Sequence, residues 1–139
     1  MTHARSRARE AAIKALYQVD VLGESPDDEA IEGLLERERL GSDALAYARS
    51  LAKGCLARRD ELDRAIAAAL EHWELARLAA IDRAILRLGT YELLFAADVP
   101  AKVTINEAIE LAKKYSTPKS GSFINGILDR LWHRKQEAG

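Results

Sequence analysis

The stretch VPAKVTINEAIELAKKYSTPKSGSFINGILDRL, Val99 to Leu131, decides the fold class. Its first half places Ile105, Ala108, Ile109 and Ala112 at helical spacing, and Thr104 followed three residues later by Glu107 reads as a capping-box start. Its second half carries Phe123, Ile124, Ile127, Leu128 and Leu131 at the same period, after the breaker-rich STPKSG segment. The reading is two short amphipathic helices joined by a polar loop. Asn125-Gly126 marks a turn in isolation, yet the apolar period runs straight through it. The pair is therefore expected inside the second helix, with Gly126 at a close helix contact and Asn125 making a buried hydrogen bond.

Upstream, the pattern stays helical. Ala8, Ala12, Ala15, Leu16 and Val19 form one stripe of a helix over Ala4 to Val21, ended by Gly23. Ser25, Pro26 and Asp28 supply a helix start, and that helix buries Ile31, Leu34 and Leu35 before stopping near Gly41. Ser42 caps a long third segment, Leu45 to Leu70, expected to bend near Gly54. His72-Trp73 lies in a short break, and Trp73, like Trp132, is expected in the core or lining a groove. The next segment, with Leu78, Ile81, Ile85, Leu88 and Leu94, is apolar on two faces and belongs at the centre. Pro100 ends it. No stretch alternates β-branched residues as a strand requires. The expectation is an all-α compact bundle of about six or seven helices, a single domain over residues 1–139.

Composition narrows the function classes. With 48% hydrophobic and 31% charged residues, the chain is globular rather than disordered. No apolar run reaches the roughly 18 residues a membrane span needs, and the arginine-rich start lacks the apolar region of a secretory signal. Cys55 is the only cysteine, and His3, His72 and His133 show no ligand spacing around it, so no metal site is expected. A cytoplasmic setting follows. Glycine-rich phosphate loops, nucleophile elbows and HExxH motifs are absent, and most helical acids have basic neighbours, as Glu61 has Arg64 and Glu110 has Lys114. No catalytic residue and no cofactor is expected.

The net charge of −1 gives no general reason for nucleic-acid binding, but the charge is unevenly spread. Arg5, Arg7, Arg9 and Lys14 crowd the first fourteen residues against Glu10 alone, while acids gather from Glu24 to Glu38. On a helix, Arg5 and Arg9 share a flank and Arg7 points nearly opposite, so all three grip one ligand only by fraying or by wrapping. Arginine forks onto phosphate and stacks on bases, whereas a solvated helix end needs no ligand at all. Phe123 has the same two readings: a base-stacking platform beside a helix N-terminus, or an apolar staple.

Val99 to Leu131 closely resembles the C-terminal signature of the NusB family of bacterial transcription antitermination factors, and RSRAREAAIKALYQVD, Arg5 to Asp20, resembles that family's N-terminal signature. The matches stand in the family's order. The resemblance implies two three-helix subbundles packed against each other. It implies a noncatalytic factor that, with the ribosomal protein NusE, binds boxA-type single-stranded RNA in nascent ribosomal transcripts and keeps RNA polymerase processive. It carries RNA contact onto Arg5, Arg7, Arg9, Lys119, Ser122 and Phe123, and a protein-partner role onto Asp82. Ser122 replaces a residue that is commonly basic in the family, and Ser6 interrupts a run that is often denser in arginine. Two rivals stand beside this reading. NusB-like domains also occur fused to ribosomal RNA methyltransferases, against which the chain's end at Gly139 and its lack of a cofactor loop both argue. The other rival is a helical module that homodimerises through apolar faces and binds no RNA.

Overall fold

A computed structural model describes residues 2–23 and 27–138. Among them run α1 (Thr2–Leu22), α2 (Asp28–Glu36), α3 (Ser42–Ala57), α4 (Arg59–Ala69), α5 (Ala80–Phe95), α6 (Ala101–Tyr115) and α7 (Pro118–Ala138), with a 3-10 turn at Leu75–Arg77. The all-α expectation holds. None of the described helices is long and apolar enough to cross a membrane. Helices α1, α2 and α3 pack together, α4 to α7 form a second group, and α5 joins them by lying against α1 and α3. The central role expected of α5 follows from its two apolar faces: every residue from Ala84 to Thr90 is buried.

Local boundaries differ where tertiary contacts or backbone geometry override pattern. Gly23 ends α1 in the left-handed conformation (φ 68°), its N–H donating to the Val19 carbonyl at 3.0 Å. Ser25 and Pro26 lie outside the described residues, and Asp27 is the observed cap, accepting from the Ala30 N–H at 2.8 Å. Helix α2 stops at Glu36, well before Gly41, where the chain turns through Arg39 in the left-handed region (φ 53°). The long third segment is two helices, broken at Arg58 rather than bent at Gly54. Gly54 instead makes room for the Tyr91 ring, which occupies the place of a Cβ.

Two further expectations fail at the signature stretch. Helix α6 begins a turn early, at Ala101, so Thr104 is an interior, buried residue and no capping box forms with Glu107. Helix α7 begins at Pro118, absorbing the presumed loop: Pro118 takes the first helical position and the Thr117 hydroxyl accepts from the Ser120 N–H at 3.1 Å. Gly126 and Asn125 face solvent. The close helix approach is at Gly89, where a Cβ would lie 2.9 Å from Leu128 Cδ1.

The two glycines therefore respond oppositely to alanine. Gly89→Ala overpacks α5 against the fully buried Leu128 and should destabilise by about 1–3 kcal/mol. Gly126→Ala meets open space inside a helix and should stabilise by about 0.5–1 kcal/mol, both read by urea unfolding.

Between α2 and α3, Glu32 accepts from Arg49 Nε at 2.5 Å and lies 3.0 Å from Lys53 Nζ. Hydrogen bonds from Arg49 and then Lys53 pull its carboxyl from 4.5 down to about 2. A carboxylate depressed on folding adds stability above its unfolded value and loses it as pH falls through the folded value. Glu32→Gln should therefore flatten the decline of the melting temperature between about pH 4.5 and 2.

Candidate nucleic-acid interface

The first turns of α1 carry three arginines in three different environments. Arg9 is only 2% exposed. It shares its helix face with Ala12, Ile13 and Leu16, all buried, and enters the core with them. There its Nε and Nη2 donate to the two carboxylate oxygens of Glu92 on α5, at 2.8 and 2.9 Å. Tyr47 on α3 donates its hydroxyl to the same carboxylate. Glu107 on α6 lies 3.5 Å from Arg9 Nη1 and accepts from the Ser6 hydroxyl at 2.5 Å. Burial works against the Arg9 charge, but the hydrogen-bonded Glu92 carboxylate raises its pKa overall. Burial first, and then Glu92, likewise push the Tyr47 phenol upward.

This corrects the expectation for Arg9. With its guanidinium engaged by protein carboxylates and 2% of the residue exposed, it has little left to offer a phosphate. Its role is to set the direction of the helix that carries the others. Ser6, read in the sequence as a gap in an arginine run, belongs to this network through Glu107.

Arg5 and Arg7 project from opposite flanks, as the helical wheel requires. Arg5 lies over the Tyr47 ring at 4.4 Å and 3.7 Å from Asp98, bordering a groove of about 760 Å³ between α1, α3 and the start of α6. Arg7 is exposed and has no ion-pair or side-chain hydrogen-bond partner among the described residues. It shares a face with Glu10 and Lys14. Lys114 donates to Glu10 at 2.8 Å, and the Lys14 ammonium lies 5.9 Å from the Tyr115 ring, so this face of α1 runs beside the end of α6. One residue on, Ser116 donates to Ser120 at 2.9 Å and reaches the start of α7. Lys14 and Lys114 thus mark a basic path from Arg7 towards the start of α7. Only the packing of α6 on α1 makes that path visible.

The first turns of α7 bring Lys119, Ser122 and Phe123 together. Lys119 and Ser122 are exposed, and Phe123 is half-buried with its ring against Trp73, centroids 6.4 Å apart and planes at 75°. At this end of α7 Pro118 has no N–H and the Ser120 and Gly121 N–H groups donate to the Thr117 carbonyl at 3.0 and 3.3 Å, so what favours an anion there is the helix dipole. Asp82 is not part of that open surface. It is 8% exposed, and its Oδ2 accepts from the Ser120 hydroxyl at 3.0 Å, pinning the start of α7 to α5. It lies beside Ile85 and Leu86 as an internal anchor, and its Oδ1 has no hydrogen-bond partner among the described residues.

Removing one member of the buried pair leaves the other charge uncompensated. Glu92→Ala should cost about 3–5 kcal/mol in urea unfolding, and an Arg9→Met/Glu92→Leu double variant should cost clearly less than Glu92→Ala alone.

The profile of the NusB family matches residues 6–133. The transcription antitermination protein NusB of Desulfitobacterium hafniense is 42% identical over 139 residues, spanning 97% of this chain and 94% of its own length. The solved structure of T. maritima NusB superposes with a TM-score of 0.84 at 42% identity, covering 93% of this chain and 90% of that one. A crystal structure of the antitermination factors NusB and NusE in complex with dsRNA superposes at 0.87 with 31% identity, covering 96% and 99%. Sequence and fold agree along nearly the whole length, and the chain belongs to the NusB family.

Proposed function

We propose that this chain is a noncatalytic, cytoplasmic transcription antitermination factor. Acting as one domain with NusE, it binds boxA-type single-stranded RNA in nascent ribosomal transcripts and supports processive transcription by RNA polymerase. The observation that carries this reading is the match in fold and sequence to a NusB that was solved together with NusE and dsRNA. The surface chemistry supports it. Arg7 and Lys119 present exposed cations at the two ends of the α1–α6–α7 path, and Phe123 offers an aromatic ring at its far end. Arg5 adds a guanidinium on the other flank, and Ser122 a hydroxyl beside Phe123. Phosphate contacts would hold the strand in register, while stacking and base-edge contacts would select the sequence.

With Arg9 withdrawn, Arg5, Arg7 and Lys119 account for about three phosphates, which gives a log–log salt slope near −2 for a single strand. Fluorescence anisotropy of a labelled boxA-type RNA, with and without NusE and against a scrambled control, tests this. The expected result is selective binding that strengthens with NusE. Arg7→Ala/Lys119→Ala should weaken it at least about tenfold and bring the slope to near −0.7. A slope near zero in the unaltered protein, or no selectivity even with NusE present, would overturn the reading.

A further inference from the structure

Trp73 departs furthest from what its residue type does in a soluble protein. A tryptophan carries a large apolar surface that normally goes inward, yet this one is 60% exposed. It sits in the irregular link between α4 and the 3-10 turn, and its packing partner is Phe123. The two rings meet nearly at right angles, as two walls of a corner.

The link is held from both sides. Before it, the guanidinium of Arg130 donates to the Ala69 carbonyl, and Arg134 Nη1 donates to the Ala68 carbonyl at 2.7 Å. After it, Arg83 Nη1 donates to the carbonyls of Ala76 and Leu78 at 3.2 and 2.5 Å, while its Nε is fixed on Asp20 at 2.9 Å. An exposed indole on a backbone tied down at both ends is preorganised, so a ligand stacking on it forgoes little ordering entropy.

The surroundings fix the ligand's chemistry. Arg130 and Arg134 lie seven and eleven residues after Phe123 and fall on the same face of α7, each within about 20° of it on opposite sides. A basic stripe thus leads away from the Phe123 ring past Trp73. Three acids lie nearby, Glu71 4.0 Å from Arg130, Glu74 3.5 Å from Arg77 and Asp129 3.6 Å from His133. Aromatic faces interleaved with arginines suit unpaired nucleobases on a phosphate backbone, since any base can stack and the guanidinium groups follow the strand.

We propose that Trp73 and Phe123 form a two-walled aromatic site for an unpaired base of the bound RNA, with Arg130 and Arg134 flanking the adjoining backbone. The site extends the RNA path beyond the start of α7, onto the end of α4. This inference rests on the RNA-binding reading above.

The test uses the full chain, the labelled boxA-type RNA and its scrambled control, and the variants Trp73→Ala, Trp73→Phe and Trp73→Leu. The exposed position spares the fold, which circular dichroism of each variant checks. Trp73→Ala and Trp73→Leu should weaken the RNA complex by about tenfold or more, and Trp73→Phe should recover most of that loss. Indole emission, taken as the difference between the unaltered protein and Trp73→Phe, should be quenched by boxA-type RNA. Unaltered binding in Trp73→Ala with no quenching, while Arg7→Ala still weakens the complex, overturns the Trp73 site and leaves the RNA reading standing. Loss of NusE binding in Trp73→Ala with RNA affinity unchanged overturns it too, and assigns the corner to a protein partner. Absence of selective RNA binding by the unaltered protein, with NusE present, removes the RNA reading and this site with it.

Discussion

Taking a guanidinium and a carboxylate out of water costs several kcal/mol for each ion, and only dense mutual pairing offsets it. Arg9 and Glu92 meet that demand with two parallel hydrogen bonds, a tyrosine hydroxyl on the same carboxylate and a second carboxylate at the edge of the guanidinium. The four partners come from α1, α5, α3 and α6. Apolar packing tolerates small slides and rotations, whereas a bidentate pair in a dry interior does not. The helices are therefore held at one rotation relative to each other. That rotation sends Arg5 over Tyr47 and leaves Arg7 on the outside. A binding surface spread over several helices needs such a constraint, because its charges have no shared backbone to keep them in register.

A second ionic cluster does the same work at the other end of α1. Arg87 on α5 donates to both oxygens of Asp63 on α4, at 2.7 and 3.0 Å, and lies 3.2 Å from Asp20 on α1. Burial opposes its charge, but Asp63 and then Asp20 raise its pKa overall. Asp20 also holds Arg83, whose other donors fix the backbone after the link that bears Trp73. The helix that presents the N-terminal arginines and the link that presents the indole are thus both referred to α5. The helix most deeply buried in the protein sets the geometry of its surface.

Charge alone misleads at several positions. Arg9 stands in a run of arginines, yet its i+3, i+4 and i+7 neighbours Ala12, Ile13 and Leu16 place it on the apolar stripe, and that signal marks it as internal. Glu92 carries the same mark from Ile85 and Leu88, and Asp82 from Ile85 and Leu86. Lys114 shows the converse: its natural partner by helical spacing is Glu110, but it bonds Glu10, more than a hundred residues away. No pattern along the chain foretells that pairing, because it depends on how α6 lies across α1.

Hydrophobic period, turn residues and the two terminal signatures were sufficient for the helical class, the order of the elements, the central place of α5 and the family. Each of these is written in residues near one another in the chain, where spacing of side chains around a helix is set by backbone geometry. Helix limits at Ala101 and Pro118, the break at Arg58 and the close contact at Gly89 were decided by packing, since a residue's conformation there depends on what another helix presses against it. The same holds for the surface. Sequence supplied the arginines, the lysines and the aromatic rings, but only the tertiary fold separated the buried Arg9 from the exposed Arg7 and set Trp73 against Phe123, because burial and long-range contact are properties of the assembled bundle rather than of any one helix.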